Sequence, residues 1–248
     1  MKRHVYSSLK AFYDDIQNVV KTPRFESDKR NDDAKFNGLS LAEINRNQFS
    51  YPFGVEKLKA FNDFKVEKDI KVKYWSDLDG QEIDIDRMLE DRNFLLDIRK
   101  KRLLPKTIDI YVNIGEGCYT NYNDLLCKTF AALKIVDKLE TIGVRCAVYA
   151  CLSFIPVYSK GYPGENDMIE ICVKNHADNV NLGALCTAIS PWMLRYWMML
   201  FVIGRYPGVN VGVARPQRMP ADTTGIVIDF GFCLTRDTAN KFIESIKL

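Results

Sequence analysis

A chain of 248 residues, 47% of them hydrophobic, can bury the core of one large domain, or of a main domain with an N-terminal extension. Its formal net charge of +3 excludes a bulk electrostatic pull toward nucleic acid or an acidic membrane. Two histidines exclude a His-rich zinc site, and seven cysteines without a Cys-x-x-Cys pair, mostly in apolar segments, read as reduced core thiols.

Charge is densest before residue 106, which predicts an irregular α+β extension over 1–104 packed on a main domain over 105–248. No apolar run follows Met1-Lys-Arg-His4, so no secretory signal is expected and a reducing compartment is. Leu9, Phe12, Tyr13, Ile16 and Val20 share one side of an amphipathic helix within 7–20. The charged stretch 23–33 reads as a loop, Ser40-Leu-Ala-Glu43 as a capping box, and 54–64 as a short helix. Alternation over 65–75 predicts a strand. The acidic run Asp77, Asp79, Glu82, Asp84, Asp86 fails the EF-hand pattern, because Glu82 stands at the sixth position and Met88 at the twelfth. It reads as a turn, with Asp84 or Asp86 capping a helix.

The organising stretch is 107–153. Thr107-Ile-Asp-Ile-Tyr-Val-Asn113 is β-branched and aromatic, as a buried strand should be. Gly115 and Gly117 then break the pattern, which suggests backbone angles that other residues avoid. From Tyr122 the period turns helical: Leu126, Phe130 and Leu133 form one row and Leu125, Thr129, Ala132, Val136 and Leu139 the next. Asn121 or Asn123 caps the start, and Gly143 sits where the helix should stop. An apolar strand follows over 144–153, completing a βαβ unit whose two strands should be parallel neighbours.

Beyond it, 156–166 reads as a loop exposing Tyr158 and Tyr162, and 168–173 as a strand. Asn181 caps a helix over 182–204, interrupted near Ser190-Pro191. The apolar length raises a membrane question, but Pro191, Arg195, Trp192 and Trp197 favour a buried helix pair, and no membrane partner is expected. A loop at 208–220, a strand at 224–230 and a helix opened by Thr235 complete the chain. Strand–helix alternation after 107 predicts a three-layer, doubly wound, mostly parallel α/β sheet, with its ligand side at the carboxyl ends of the strands.

The loop Asn113-Ile-Gly-Glu-Gly117 resembles, in position, the metal-site loop of von Willebrand factor A-type domains, which carry Asp-x-Ser-x-Ser there. The resemblance implies a von Willebrand factor A-like fold. Asn113 stands where the aspartate would be, and Gly115 and Gly117 where the serines would be, so metal binding should be weak or absent, and no cofactor is expected. A wider pattern is similar to an uncharacterised family of tailed phages and related mobile elements. It comprises Phe36-Asn-Gly-Leu-Ser-Leu-Ala-Glu43, Gly54-Val-Glu56, Asp79-Gly-Gln-Glu-Ile-Asp-Ile-Asp86, the helix over 131–143 and Ser190-Pro-Trp-Met-Leu-Arg195. That resemblance implies a phage or mobile-element origin, residence in the host cytoplasm or virion, and protein partners from the same source.

Three functions compete. The first is a non-enzymatic protein-interaction or structural module, using the face around 113–121 and the 156–166 loop, with Tyr119, Tyr122, Tyr158 and Tyr162 as aromatic anchors and no catalytic residue. The second is an enzyme acting on a phosphorylated or nucleotide substrate. There the amides of Gly115 to Gly117 would hold phosphate, and Glu116 or Asp124 would supply the acid/base group or together hold Mg²⁺. The third is a nucleic-acid surface built from Arg195, Arg205, Arg215 and Arg218 with interleaved aromatics.

Overall fold

The computed structural model describes residues 1–20, 34–61, 72–76, 82–83, 89, 95–99, 107–117, 119–158, 165–206 and 209–246. The loop expected at 23–33, the stretch 65–71, the acidic run apart from Glu82, the helix expected after it, and Tyr162 lie outside those residues. In chain order the elements are β1 (Arg3–Tyr6), α1 (Leu9–Val20), α2 (Ala34–Asn37), α3 (Leu41–Arg46), α4 (Pro52–Lys59), β2 (Val72–Ser76), β3 (Glu82–Ile83), β4 (Leu95–Arg99) and β5 (Thr107–Asn113). Then come α5 (Tyr122–Thr141), β6 (Arg145–Tyr158), β7 (Asp167–Lys174), α6 (Leu182–Ala188), a π-helical turn (Met193–Met198), α7 (Met199–Arg205), β8 (Val209–Pro216), β9 (Ile226–Ile228) and α8 (Arg236–Ser245).

The fold is α/β. The main sheet runs β1-β7-β6-β5-β9, with β8 pairing β6; β2, β4 and β3 form a small antiparallel sheet. β5 is parallel to β6 and to β9, and β1 is parallel to β7. β7 and β8 run antiparallel to β6. The four strands expected after residue 105 all join this sheet, and β5 and β6 are the parallel neighbours that the crossover helix requires. Besides β3 and β4 of the small sheet, two strands of the main sheet escaped the sequence reading. β1 is only four residues long, and β8 falls where a loop was expected, since its alternating valines (Val209, Val211, Val213) sit among glycine and proline.

α5 explains much of this order. It runs 20 residues, about 30 Å at 1.5 Å per residue, and is buried over most of its length. Asn121 is its cap, in a reciprocal box with Asp124. It ends in a Schellman pattern: Gly143, at φ +85°, donates to the Glu140 carbonyl and Val144 to that of Leu139. The expected helix pair after Asn181 is bent by 53° between α6 and the segment from Met193, with Trp192 and Trp197 buried in it. Among the described residues no single helix is long and apolar enough to cross a membrane.

The even-numbered side chains of β5 (Ile108, Ile110, Val112) and their neighbours on β6, β7 and β9 meet α1, α5, α6, α7 and α8 in one core. The opposite face carries Asp109, Tyr111, Tyr149, Glu170 and Cys172, and its small cluster of Tyr111, Cys151, Met168 and Met219 contains no residue of a described helix. Among the described residues the helices therefore form one layer, and the three-layer, doubly wound arrangement expected from alternation is not what they build. The reason lies in the strands: that face alternates acids and phenols where a helix would need aliphatics.

Glu170 on this face is 5% exposed, and its Oε1 makes no hydrogen bond; Arg3 Nη1 stands 3.7 Å away, too far for one. Burial holds its carboxyl above the ordinary 4.5, with Arg3 opposing and Asp109 adding to the shift. A raised folded pKa means the native state keeps a proton that the unfolded chain has lost, so this residue's contribution to stability falls as pH rises from 4.5 through the folded value. Glu170→Gln should therefore raise stability at pH 7, by about 1 kcal/mol, the low end of what a poorly paired buried polar group costs. Melting curves at pH 7 and pH 4 check this: the gain should shrink to nothing at the lower pH, and a loss at pH 7 would contradict it.

Candidate functional site

At the carboxyl end of β5 the chain closes on itself around one ammonium group. Lys128, on the second turn of α5, is fully buried, and its Nζ donates to the carbonyls of Asn113 (2.6 Å) and Asp229 (2.9 Å). It also forms an ion pair with Glu116, itself 5% exposed, whose Oε1 takes a further hydrogen bond from the Gly231 amide at 2.9 Å. Desolvation by burial lowers the Lys128 pKa, and the Glu116 carboxylate works against that. Beside them Asp229 Oδ1 accepts from Asn113 Nδ2 (3.0 Å), the Met219 amide (3.0 Å) and the Phe230 amide (2.8 Å). The network joins β5, α5 and the exit of β9, and each of its charges has a counter-charge or several donors.

A divalent cation does not fit this donor set. The Asn113 side-chain oxygen already accepts from the Gly115 amide (3.0 Å), while its nitrogen donates to Gln217 O (2.8 Å) and Asp229. Glu116 is neutralised by Lys128, so a metal here would face a buried ammonium. The departure of Asn113 from the aspartate of the resembled loop also has a local reason. A carboxylate at 113 would stand against the Asp229 carboxylate and the Gln217 carbonyl with no proton to donate.

Gly115 and Gly117 do not serve as backbone-angle residues. The positive-φ glycines among the described residues are Gly38, Gly143, Gly225 and Gly231. Gly115 is needed for space, since a Cβ there would lie 2.8 Å from Leu152 Cδ1, whereas one at Gly117 would meet nothing within 4 Å. The Gly115 amide is spent on Asn113, Glu116 points inward, and Asp124 is occupied in the helix cap. The acids proposed for catalysis or for Mg²⁺ are thus separated and committed to other partners. Lys128 and Asp229 were not singled out from sequence. Lys128 is one charge within the unbroken buried run 125–133, and Asp229 follows the strand Ile226-Val-Ile228; both signals were readable.

Over residues 2–247 the chain matches the family described as Domain of unknown function (DUF7192). The chain belongs to that family. The match runs through both the N-terminal part and the main α/β unit. No curated protein and no solved structure matches it.

The part of the sheet end that opens to solvent in this DUF7192 chain lies one turn away. The stretch 119–122 leads into α5 along a cleft of about 450 Å³, whose other walls come from Gly38 and Leu39, from Tyr51 and α4, and from Pro191, Trp192 and Arg195 at the π-helical turn. Tyr51, Tyr122 and Trp192 pack there, with Tyr122 stacked on Trp192 at 5.6 Å between centroids and Tyr51 edge-on to Trp192 at 4.6 Å. Lys57 Nζ lies 4.8 Å from the Phe53 ring centre and 5.6 Å from that of Tyr122. Gly54 lets α4 approach: a Cβ there would collide with the Tyr122 hydroxyl and the Tyr51 ring. Burial raises the pKa of both Tyr51 and Tyr122, so their phenols stay protonated. Tyr119, 96% exposed, stands at the rim. Of the cleft residues, the sequence had marked Tyr119, Tyr122 and Arg195.

Of the other expected anchors and cations, Tyr158, Arg205 and Arg218 do not line the cleft. Tyr158 is a half-buried residue of β6, not part of a loop, because β8 extends the pairing of β6 that far. Arg195 donates to the Thr120 carbonyl at the cleft. Arg205 pairs with Asp15 of α1 and lies against the Phe201 ring. Arg218 is exposed in the loop after β8, and Arg215 belongs to β8. The cysteines Cys127, Cys146, Cys151, Cys172, Cys186 and Cys233 all have thiol pKa values raised by burial, the opposite of an activated nucleophile.

Proposed function

We propose that this chain is a non-enzymatic protein-interaction or structural module of a phage or mobile element, on an α/β domain whose β5–α5–β6 unit and following loop are like those of von Willebrand factor A-type domains, with a lysine ammonium standing in for the metal. The observation that carries the reading is the closed Lys128–Glu116 pair at the carboxyl end of β5. It takes up the carboxylate and carbonyls that chemistry at this sheet end would use. The features of a recognition surface are Tyr119 projecting at the rim and Phe53, both exposed, beside an aromatic cleft. The parallel β5–α5–β6 unit, with its loop at the strand's carboxyl end, supports the fold likeness. The phage or mobile-element source rests on the resemblance of the short segments quoted above.

Site-directed photocrosslinking tests the module. With p-benzoylphenylalanine at position 119, irradiation in cells that make the protein should give one discrete adduct. At position 142, where Ile142 is 55% exposed at the far end of α5, it should give none. Equal adducts at both positions, or none at 119, would count against a partner at this face.

A further inference from the structure

We propose that His4 makes the N-terminal strand acid-sensitive: protonation of its ring loosens β1 from the edge of β7 while the rest of the main sheet stays closed.

β1 is lightly held. It is four residues long, stands at the end of the strand order and pairs β7 alone. Three polar links tie this part of the chain to the body, and they converge on two carboxylates. The Lys2 amide donates to Asp167 Oδ1 at 2.7 Å, and the Tyr6 hydroxyl to Asp15 Oδ2 at 2.6 Å. The third link runs through His4, whose Nε2 lies 3.0 Å from the Tyr206 hydroxyl; that hydroxyl donates to Asp167 Oδ2 at 2.6 Å. A hydroxyl has one hydrogen, and Tyr206 spends it on the carboxylate, so toward His4 it accepts. Neutral His4 therefore carries its hydrogen on Nε2, and Nδ1 is the atom that takes a proton in acid.

The site resists that proton. The His4 ring is half-buried and meets the fully buried Phe201 ring edge-on, at 4.8 Å between centroids. Each element packed around it brings a charged or titratable group: Lys2 ahead of β1, Asp15 of α1, Asp167 of β7, Arg205 of α7 and Tyr206 just after it. Burial is the main cause of a His4 pKa below the ordinary 6.5; the Lys2 charge adds to it and Asp167 opposes it, with Arg205 and Asp15 acting more weakly in the same two senses. Both carboxylates are already engaged, Asp15 by Tyr6 and Arg205, Asp167 by the Lys2 amide and Tyr206. A lowered folded pKa means that the detached strand takes the proton more readily than the docked one. Docking of β1 is therefore complete above pH 6.5 and weakens as pH falls through the folded value. When β1 leaves, the backbone groups of β7 that it pairs are bared, since β6 occupies the other edge.

Amide hydrogen exchange of the full-length chain, followed by NMR from about pH 8 to about pH 5, tests this. The Met168 amide is the reporter, because its acceptor is the Lys2 carbonyl at 2.9 Å; the Ile114 amide, bonded to the Cys151 carbonyl at 2.8 Å beside the β5–β6 pairing, is the control. Corrected for the intrinsic rate, Met168 exchange should rise by up to about tenfold per pH unit below 6.5, then level off below the folded pKa, with Ile114 unchanged. The rise should coincide with titration of the His4 ring, whose neutral form should be the Nε2–H tautomer. His4→Gln, whose amide nitrogen can keep the bond to Tyr206 without titrating, should hold Met168 exchange flat. A flat wild-type profile, a rise shared by Ile114, a rise that survives His4→Gln, or an Nδ1–H tautomer would each overturn the proposal. If the variant does not fold, the wild-type comparison of exchange with ring titration decides by itself.

Discussion

Lys128→Met is expected to lower the unfolding free energy by about 3–5 kcal/mol, the usual result of removing one partner from a buried ion pair. The Lys128 ammonium is the donor for three acceptors, and its loss leaves Glu116 buried with only the Gly231 amide at 2.9 Å. For a chain of this size about 1 kcal/mol shifts the melting temperature by about 2–4 °C, so a drop on the order of 6–20 °C should be seen. The double substitution Lys128→Met with Glu116→Leu should recover most of that, because a well-packed apolar pair is often as stable as the ion pair it replaces. Recovery should stop short of wild type, since the Asn113 and Asp229 carbonyls lose their donor in both variants. Urea unfolding of wild type, Lys128→Met, Glu116→Leu and the double variant gives the coupling directly. A single-variant loss below about 1 kcal/mol, the range of a surface pair, would show that Lys128 does not hold this end of the sheet.

Asp229→Ala should cost nearly as much, about 3–5 kcal/mol, because one carboxylate oxygen accepts three hydrogen bonds and those to charged groups contribute about 1.5–3 kcal/mol each before partial solvent replacement. Alanine would leave Asn113 Nδ2 one acceptor short and orphan the Met219 and Phe230 amides. Asp229→Asn, which keeps an oxygen at the same place, should cost roughly 1 kcal/mol, the difference between a charged and a neutral acceptor. Asp222, 77% exposed and loosely paired with Arg3 at 3.6 Å, is the control: its alanine variant should stay within about 0.5 kcal/mol of wild type. Equal losses at 229 and 222 would mean that the Asp229 hydrogen bonds carry no special weight.

Much of the fold was legible because it is carried by local signals. The apolar rows of α5, its Asn121 cap and Gly143 stop, and the β-branched run 107–113 each point to one structure, and they agree with one another. The capping box at Ser40 and the helix opening at Thr235 were equally clear. What escaped in the main sheet depends on partners distant in sequence. β1 is a strand because β7 offers it an edge, and β8 because the long β6 runs beyond the reach of β5. The polar second face of the sheet was visible residue by residue, as Asp109, Tyr111, Tyr149 and Glu170, but βαβ alternation suggested helices on both sides. The site was half legible. Asn113, Glu116 and Asp124 were in view, but their roles turned on Lys128, which a helical-period reading treats as one polar residue among apolar ones.

The carboxyl end of β5 is held by an internal ammonium and has no place for a divalent cation. Paramagnetic broadening by Mn²⁺ in an amide NMR spectrum of the full-length chain tests it most directly. The amides of Gly115, Glu116, Gly117 and Gly231 should keep their intensity up to about millimolar Mn²⁺, the concentration at which weak carboxylate sites begin to fill. Selective loss of those four signals at micromolar Mn²⁺, abolished by Asn113→Ala, would place a metal where the Lys128 ammonium lies and contradict this.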